Sequence, residues 1–267
     1  MCGLWRYYWH MRFLPLLLIL FSCAAARPQT PPVVADFFVD NVGKSYRLLT
    51  DDRFVTDNPL GQNTFDFYDS SLGAPTSVDV SSPFAILLFY ADYGTIVVLD
   101  RTLSEVSRID LFSLDAVETP AAVARASDQG FWVFDSWDYR LKSLDEQGRI
   151  RQQSNDLRLE IKSAAVPDAV YVDRNLVLLH YVADARVAVF TNYGRFQRWV
   201  DLPAAENFGF RAPYLTGSSA EGYWIFDART KGAGPLVPGK WRGKVVADGR
   251  GKFGLDADGN VQYVLNE

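Results

Sequence analysis

The stretch FDSWDYRLKSLD, Phe134–Asp145, decides the reading of this chain because two other segments repeat its pattern. FYADYGTIVVLD (Phe89–Asp100) stands 45 residues before it and HYVADARVAVFT (His180–Thr191) 46 residues after it. Each is an apolar run, a short polar turn and a second apolar run, the pattern of two strands joined by a hairpin. Downstream, LDEQGRI (Leu144–Ile150) aligns with FTNYGRF (Phe190–Phe196) and LDADGNV (Leu255–Val261). Their glycines, Gly148, Gly194 and Gly259, fall where a tight turn needs positive φ.

A period near 45 residues built from about four short strands is the mark of a β-propeller blade. Other runs agree: AILLFY (Ala85–Tyr90), GFWVFD (Gly130–Asp135), AVYVD (Ala169–Asp173) and NLVLLHY (Asn175–Tyr181) are β-branched or aromatic and mostly bounded by turn residues. The expected fold is all-β, a propeller of five or six four-stranded blades over residues 35–267. A pair of β-sandwiches is the alternative, and it leaves the period unexplained. Asp115–Ala126 contains Pro120 and reads as a loop or short helical turn. GPLVPGKWRGK (Gly234–Lys244) interrupts the repeat.

The pattern D-x-R-hydrophobic-x-x-hydrophobic, as DYRLKSL (Asp138–Leu144) and DARVAVF (Asp184–Phe190), resembles the NHL family of propeller repeats over about residues 85–200. The resemblance implies a rigid loop-bearing scaffold and no particular reaction.

Residues ahead of the repeat read as export machinery. Arg6 and Arg12 precede the apolar run FLPLLLILF (Phe13–Phe21), and no acid occurs before Asp36. That run is too short to span a bilayer core of about 30 Å as a helix, and it fits a signal peptide over residues 1–22. LFSC (Leu20–Cys23) resembles a bacterial lipobox, which makes Cys23 the expected site of lipid attachment; ordinary cleavage in the following alanines, giving a secreted or periplasmic protein, is the alternative. Residues 23–34, with Pro28, Pro31 and Pro32, read as an extended tether. The expected location is the cell envelope, membrane-anchored and facing the periplasm or cell surface. Cys2 and Cys23 are the only cysteines, so the domain needs no internal disulfide.

The full chain carries a net charge of −5. Removing residues 1–22 takes Arg6 and Arg12 and no acid, leaving 25 basic against 32 acidic residues, a charge of −7. With no long Lys/Arg run, nucleic acid is not an expected partner.

The same stretch also looks like an active site. Val133–Ile150 holds four acids, two arginines, a lysine and Trp137. Yet Asp138 recurs as Asp184, Asp145 as Asp100 and Gly148 as Gly194, which places the charges in hairpin turns. His180 is the one histidine after the leader and occupies the place of Phe89 and Phe134, so a core position fits it better than a catalytic triad. DADGN (Asp256–Asn260) superficially matches a calcium loop but lacks the glycine at its sixth position, and a hairpin turn explains it more simply. No catalytic residue, metal or cofactor is expected. Trp137, Tyr93, Tyr139 and Tyr193 fall on or near turns and are the candidate binding residues. The sequence therefore points to a non-catalytic binding or scaffold module with an envelope protein or glycan partner. A propeller hydrolase or lactonase with a central divalent cation is the alternative.

Overall fold

The computed structural model describes residues 32–60, 64–239, 243–256 and 258–265. The expected signal peptide and Cys23 lie outside them. Six antiparallel sheets follow one another along the chain. Blade one is β1 (Val34–Val39), β2 (Ser45–Leu49), β3 (Phe54–Asp57) and β4 (Thr64–Phe67). Blade two is β5 (Ser77–Asp79), β6 (Ile86–Tyr90), β7 (Thr95–Leu99) and β8 (Glu105–Asp110). Blade three is β9 (Pro120–Arg125), β10 (Phe131–Asp135), β11 (Arg140–Leu144) and β12 (Ile150–Gln153).

A four-residue helix, α1 (Leu157–Glu160), lies in the next linker. Blade four is β13 (Ala169–Asp173), β14 (Leu176–Tyr181), β15 (Arg186–Thr191) and β16 (Phe196–Asp201). Blade five is β17 (Asn207–Arg211), β18 (Tyr214–Ser219), β19 (Gly222–Asp227) and β20 (Val237–Pro238). Blade six has three strands among the described residues, β21 (Val246–Ala247), β22 (Gly251–Leu255) and β23 (Val261–Leu265).

The β-propeller expectation holds, with the blade number settled at six. The expected loop at Asp115–Ala126 is corrected: Pro120–Arg125 is β9, the first strand of blade three. Proline is tolerated there because it begins its strand. The repeat also continues past Gly234. Blade five's last strand is only two residues long and blade six is short, so the sequence period fades while the architecture persists.

Two-residue periodicity builds the core. On β10, Phe131 and Val133 join Leu87 and Phe89 of blade two, while Trp132 and Phe134 join Val177 and Leu179 of blade four. Alternate side chains of β10 therefore pack against one neighbouring blade or the other. Phe37 and Val39 of blade one meet Val246 and Phe253 of blade six, which closes the ring.

The repeated acids serve the turns. Asp40, Asp100, Asp145 and Asp256 each accept main-chain N–H bonds from the second and fourth residues that follow. Thr191 Oγ1 does the same for Tyr193 and Arg195. The third residue on is left-handed every time: Gly43, Leu103, Gly148, Gly194 and Gly259, with φ between +61° and +88°. At Gly148 a Cβ would also stand 2.6 Å from both methyls of Leu114. Gly148→Ala should therefore cost about 1–3 kcal/mol, read as a lower urea midpoint at unchanged m-value.

Candidate functional site: the central channel and its mouth

The innermost strands enclose a central cavity of about 240 Å³. Asp36, Asp79, Asp168 and Lys244 line it beside Phe38, Tyr171, Phe208 and Phe210. These charges are already engaged. Lys244 Nζ lies 3.1 Å from Asp36 and 4.0 Å from the centre of the Phe38 ring. Burial pulls its pKa down, with Asp36 opposing. Asp79 accepts the N–H groups of Ser81 and Arg125, and Asp168 accepts that of Val182. Among the described residues no three His, Cys, Asp or Glu side chains stand close enough to hold a metal ion.

At one end the channel opens into a basin of about 880 Å³. It is built from the turns between first and second strands and between third and fourth strands. Four arginines border it, and two of these are spent. Arg211 pairs with Asp248 at 2.9 Å and donates to the carbonyls of Asp40 and Asn41, while Arg229 pairs with Asp227. The guanidinium groups of Arg125 and Arg174 make no hydrogen bond or ion pair among the described residues. Burial raises the pKa of Asp173 on the same rim, against the pull of Arg174 and Arg229.

Phe84 joins this basin to an apolar hollow of about 380 Å³ that includes Val42, Pro59, Leu60 and Phe65. Val42, Leu60 and Phe84 are 75%, 94% and 72% exposed. Adjacent exposed apolar groups of this size mark a contact surface more often than a stray side chain.

The four expected binding residues do not form one site. Tyr93, Trp137 and Tyr139 sit in turns between second and third strands, at the end opposite the basin. Tyr193 sits in the β15–β16 turn at the basin end and lines a separate hollow with Gln153 and Glu160. Trp137 is 71% exposed, and its main-chain N–H donates to Asp135. Tyr139 occupies a left-handed position shared with Gly94 and Ala185; its ring meets Phe134 edge-on and lies 4.7 Å from the Arg158 guanidinium. Arg125, Arg174, Leu60 and Phe84 come from four blades, and no linear motif joins them.

The dense charges around Trp137 form a structural lock. Lys142 Nζ donates to Asp135 at 2.7 Å and to the Ala116 carbonyl at 3.0 Å, and pairs with Asp138 at 2.8 Å. Asp135, fully buried, also accepts the N–H groups of Glu118, Thr119 and Trp137. Burial alone would raise its pKa, yet Lys142 and these amides outweigh it and hold the carboxyl below its usual range. Arg186 likewise ties back to Asp184 at 2.8 Å.

No protein-family model matches this chain, and no curated protein matches it significantly in sequence. Solved structures do resemble it. A streptogramin B lyase superposes with a TM-score of 0.57 at 12% identity, covering 91% of this chain and 85% of the lyase. The Pan2 WD40 domain of Neurospora crassa gives 0.57 at 8% identity, covering 89% of this chain and 78% of that one. A chain of a mitotic checkpoint complex gives 0.55 at 12% identity over 89% and 76%. Likeness at such low identity shows the fold alone, and that fold is the β-propeller.

Proposed function

We propose that this chain is a non-catalytic binding or scaffold module of the bacterial cell envelope, anchored by lipid on Cys23 and engaging a protein or glycan partner through its propeller loops. The NHL-like reading of its repeat belongs to the same proposal. One observation carries it: at the mouth, Arg125 and Arg174, whose guanidinium groups make no hydrogen bond or ion pair among the described residues, share a basin with exposed Phe84, which continues into the hollow of Leu60 and Val42, whereas the channel charges are consumed internally. Arginine beside an aromatic anchor is the usual composition of an energetic centre at an interface. Trp137 and Tyr93, exposed at the other end, are proposed as a second contact, while Tyr139 and Tyr193 complete the set of candidate aromatics.

The test is capture from envelope fractions by the mature domain. Wild type is expected to retain a saturable partner, and Leu60→Asp with Phe84→Asp should weaken retention by at least about tenfold. Both side chains are exposed, so the double variant keeps its fold. Equal retention by the variant would contradict the mouth as the contact. No partner, together with turnover of a lactone panel, would favour the hydrolase reading. For the anchor, Cys23→Ala is expected to move the protein from the membrane to the soluble fraction; unchanged membrane retention would refute lipidation.

A further inference from the structure

Among the described residues five blades carry a fourth, outermost strand, and each of those strands is guarded. β4 contains Asp66, β8 contains Glu105, Arg108 and Asp110, and β12 contains Arg151. β16 contains Arg198 and Asp201, and β20 is two residues long and includes Pro238. Charges, proline and short length are the devices by which sheet edges avoid pairing with other chains.

Blade six differs. Among the described residues its outermost strand is the third, β23, with the sequence VQYVL: no charge and no proline. Tyr263, Val264 and Leu265 are 41%, 46% and 66% exposed. The cluster that joins this blade to blade one is also the smallest, four buried residues with Leu255 and Val261 only partly covered. A further strand beside β23 would cover these side chains and pair a row of main-chain groups that no strand among the described residues pairs.

We propose that β23 is a docking edge for an extended segment of a protein partner, a deepening that rests on the protein-binding reading above. The blades are antiparallel throughout, so the incoming strand runs antiparallel to β23 and its C-terminal end lies beside Val261. That end meets the turn holding Asp256 and Asp258, and the exposed Asp258 carboxylate has no partner among the described residues. The fitting segment is therefore uncharged and β-branched along its length, with Lys or Arg at its C-terminal end. A second copy of this chain fits worse, because each mature copy carries −7 and β23 offers no basic residue.

The probe is a labelled synthetic peptide of three Thr-Val pairs followed by two lysines, titrated into the mature protein by fluorescence anisotropy. Saturable binding is expected. A matched peptide ending in two glutamates, and the variant Val264→Lys/Leu265→Lys, should each weaken it by at least about tenfold. Both positions are exposed, and an unchanged melting temperature would confirm that the variant folds. Absence of saturable binding, or binding insensitive to the variant, overturns the proposal. So does concentration-dependent self-association removed by the same variant, which makes a second copy the occupant. If the variant captures the envelope partner as well as wild type does, the edge fails while the binding reading stands. If wild type captures no partner yet the peptide binds as expected, the binding reading fails and the edge stands.

Discussion

Asp135→Ala is expected to destabilise the propeller by about 3–5 kcal/mol, the cost of leaving one member of a buried ion pair without its partner. Asp135 collects four hydrogen bonds, from Lys142 and three main-chain N–H groups. Glu118 and Thr119 lie in the linker that enters blade three, so the carboxylate fixes where that blade joins the ring. The Lys142 side chain is 6% exposed and cannot turn to solvent without opening the blade. Lys142→Met should cost less, because Asp135 keeps its three amide donors and the methionine fills the aliphatic volume. Urea unfolding of both variants gives the comparison. A drop below about 1 kcal/mol for Asp135→Ala would mean the cluster does not hold the fold, and would reopen its reading as a functional site.

The second large effect is on pH dependence. His180 is 1% exposed, lies edge-on to Phe208 at 4.5 Å, and its Nε2 has no hydrogen-bond partner among the described residues. Burial depresses its pKa to about 4, with Asp168 opposing, and Tyr171 flanks the ring. In the unfolded chain the ring takes up a proton near pH 6.5; in the folded chain it stays neutral until near pH 4. Stability attributable to this group is therefore level above about pH 7 and falls as pH drops through 6.5 towards 4.

The expected loss is about 2 kcal/mol at pH 5 and about 3 below pH 4. After the leader His180 is the only histidine, so little else titrates in the upper part of that window. His180→Phe restores the residue found at the equivalent Phe89 and Phe134, and it should flatten the slope between pH 7.5 and 5. Parallel slopes for wild type and variant would show that the ring is solvated in the folded protein.

What the sequence made legible follows from where each feature lies. The hairpin of second and third strands was readable at Phe89, Phe134 and His180 because those strands are buried on both faces and must be apolar throughout. The turns were readable because an acid or threonine followed three residues later by glycine satisfies local main-chain geometry. β9 was missed because PAAVAR lines a channel, where small side chains suffice and no large apolar residue announces a strand. The lock between Asp135, Asp138 and Lys142 appeared only as charge density, since its purpose depends on the linker amides that folding brings back.

The mouth could not be read at all. Phe84 stands one residue before the run that marked the strand, and Arg125 and Arg174 become neighbours of one basin only when the ring closes. The charged segment around Trp137 thus resolves into a lock and two turns, leaving one exposed indole above them.

The most direct test of the central claim is hydrogen–deuterium exchange of the mature domain with and without its captured partner. The account predicts slowed exchange at the basin turns, residues 41–44, 81–85 and 101–104, and on β23. Protection confined to the turns that carry Tyr93 and Trp137, with the basin and β23 unchanged, would contradict it.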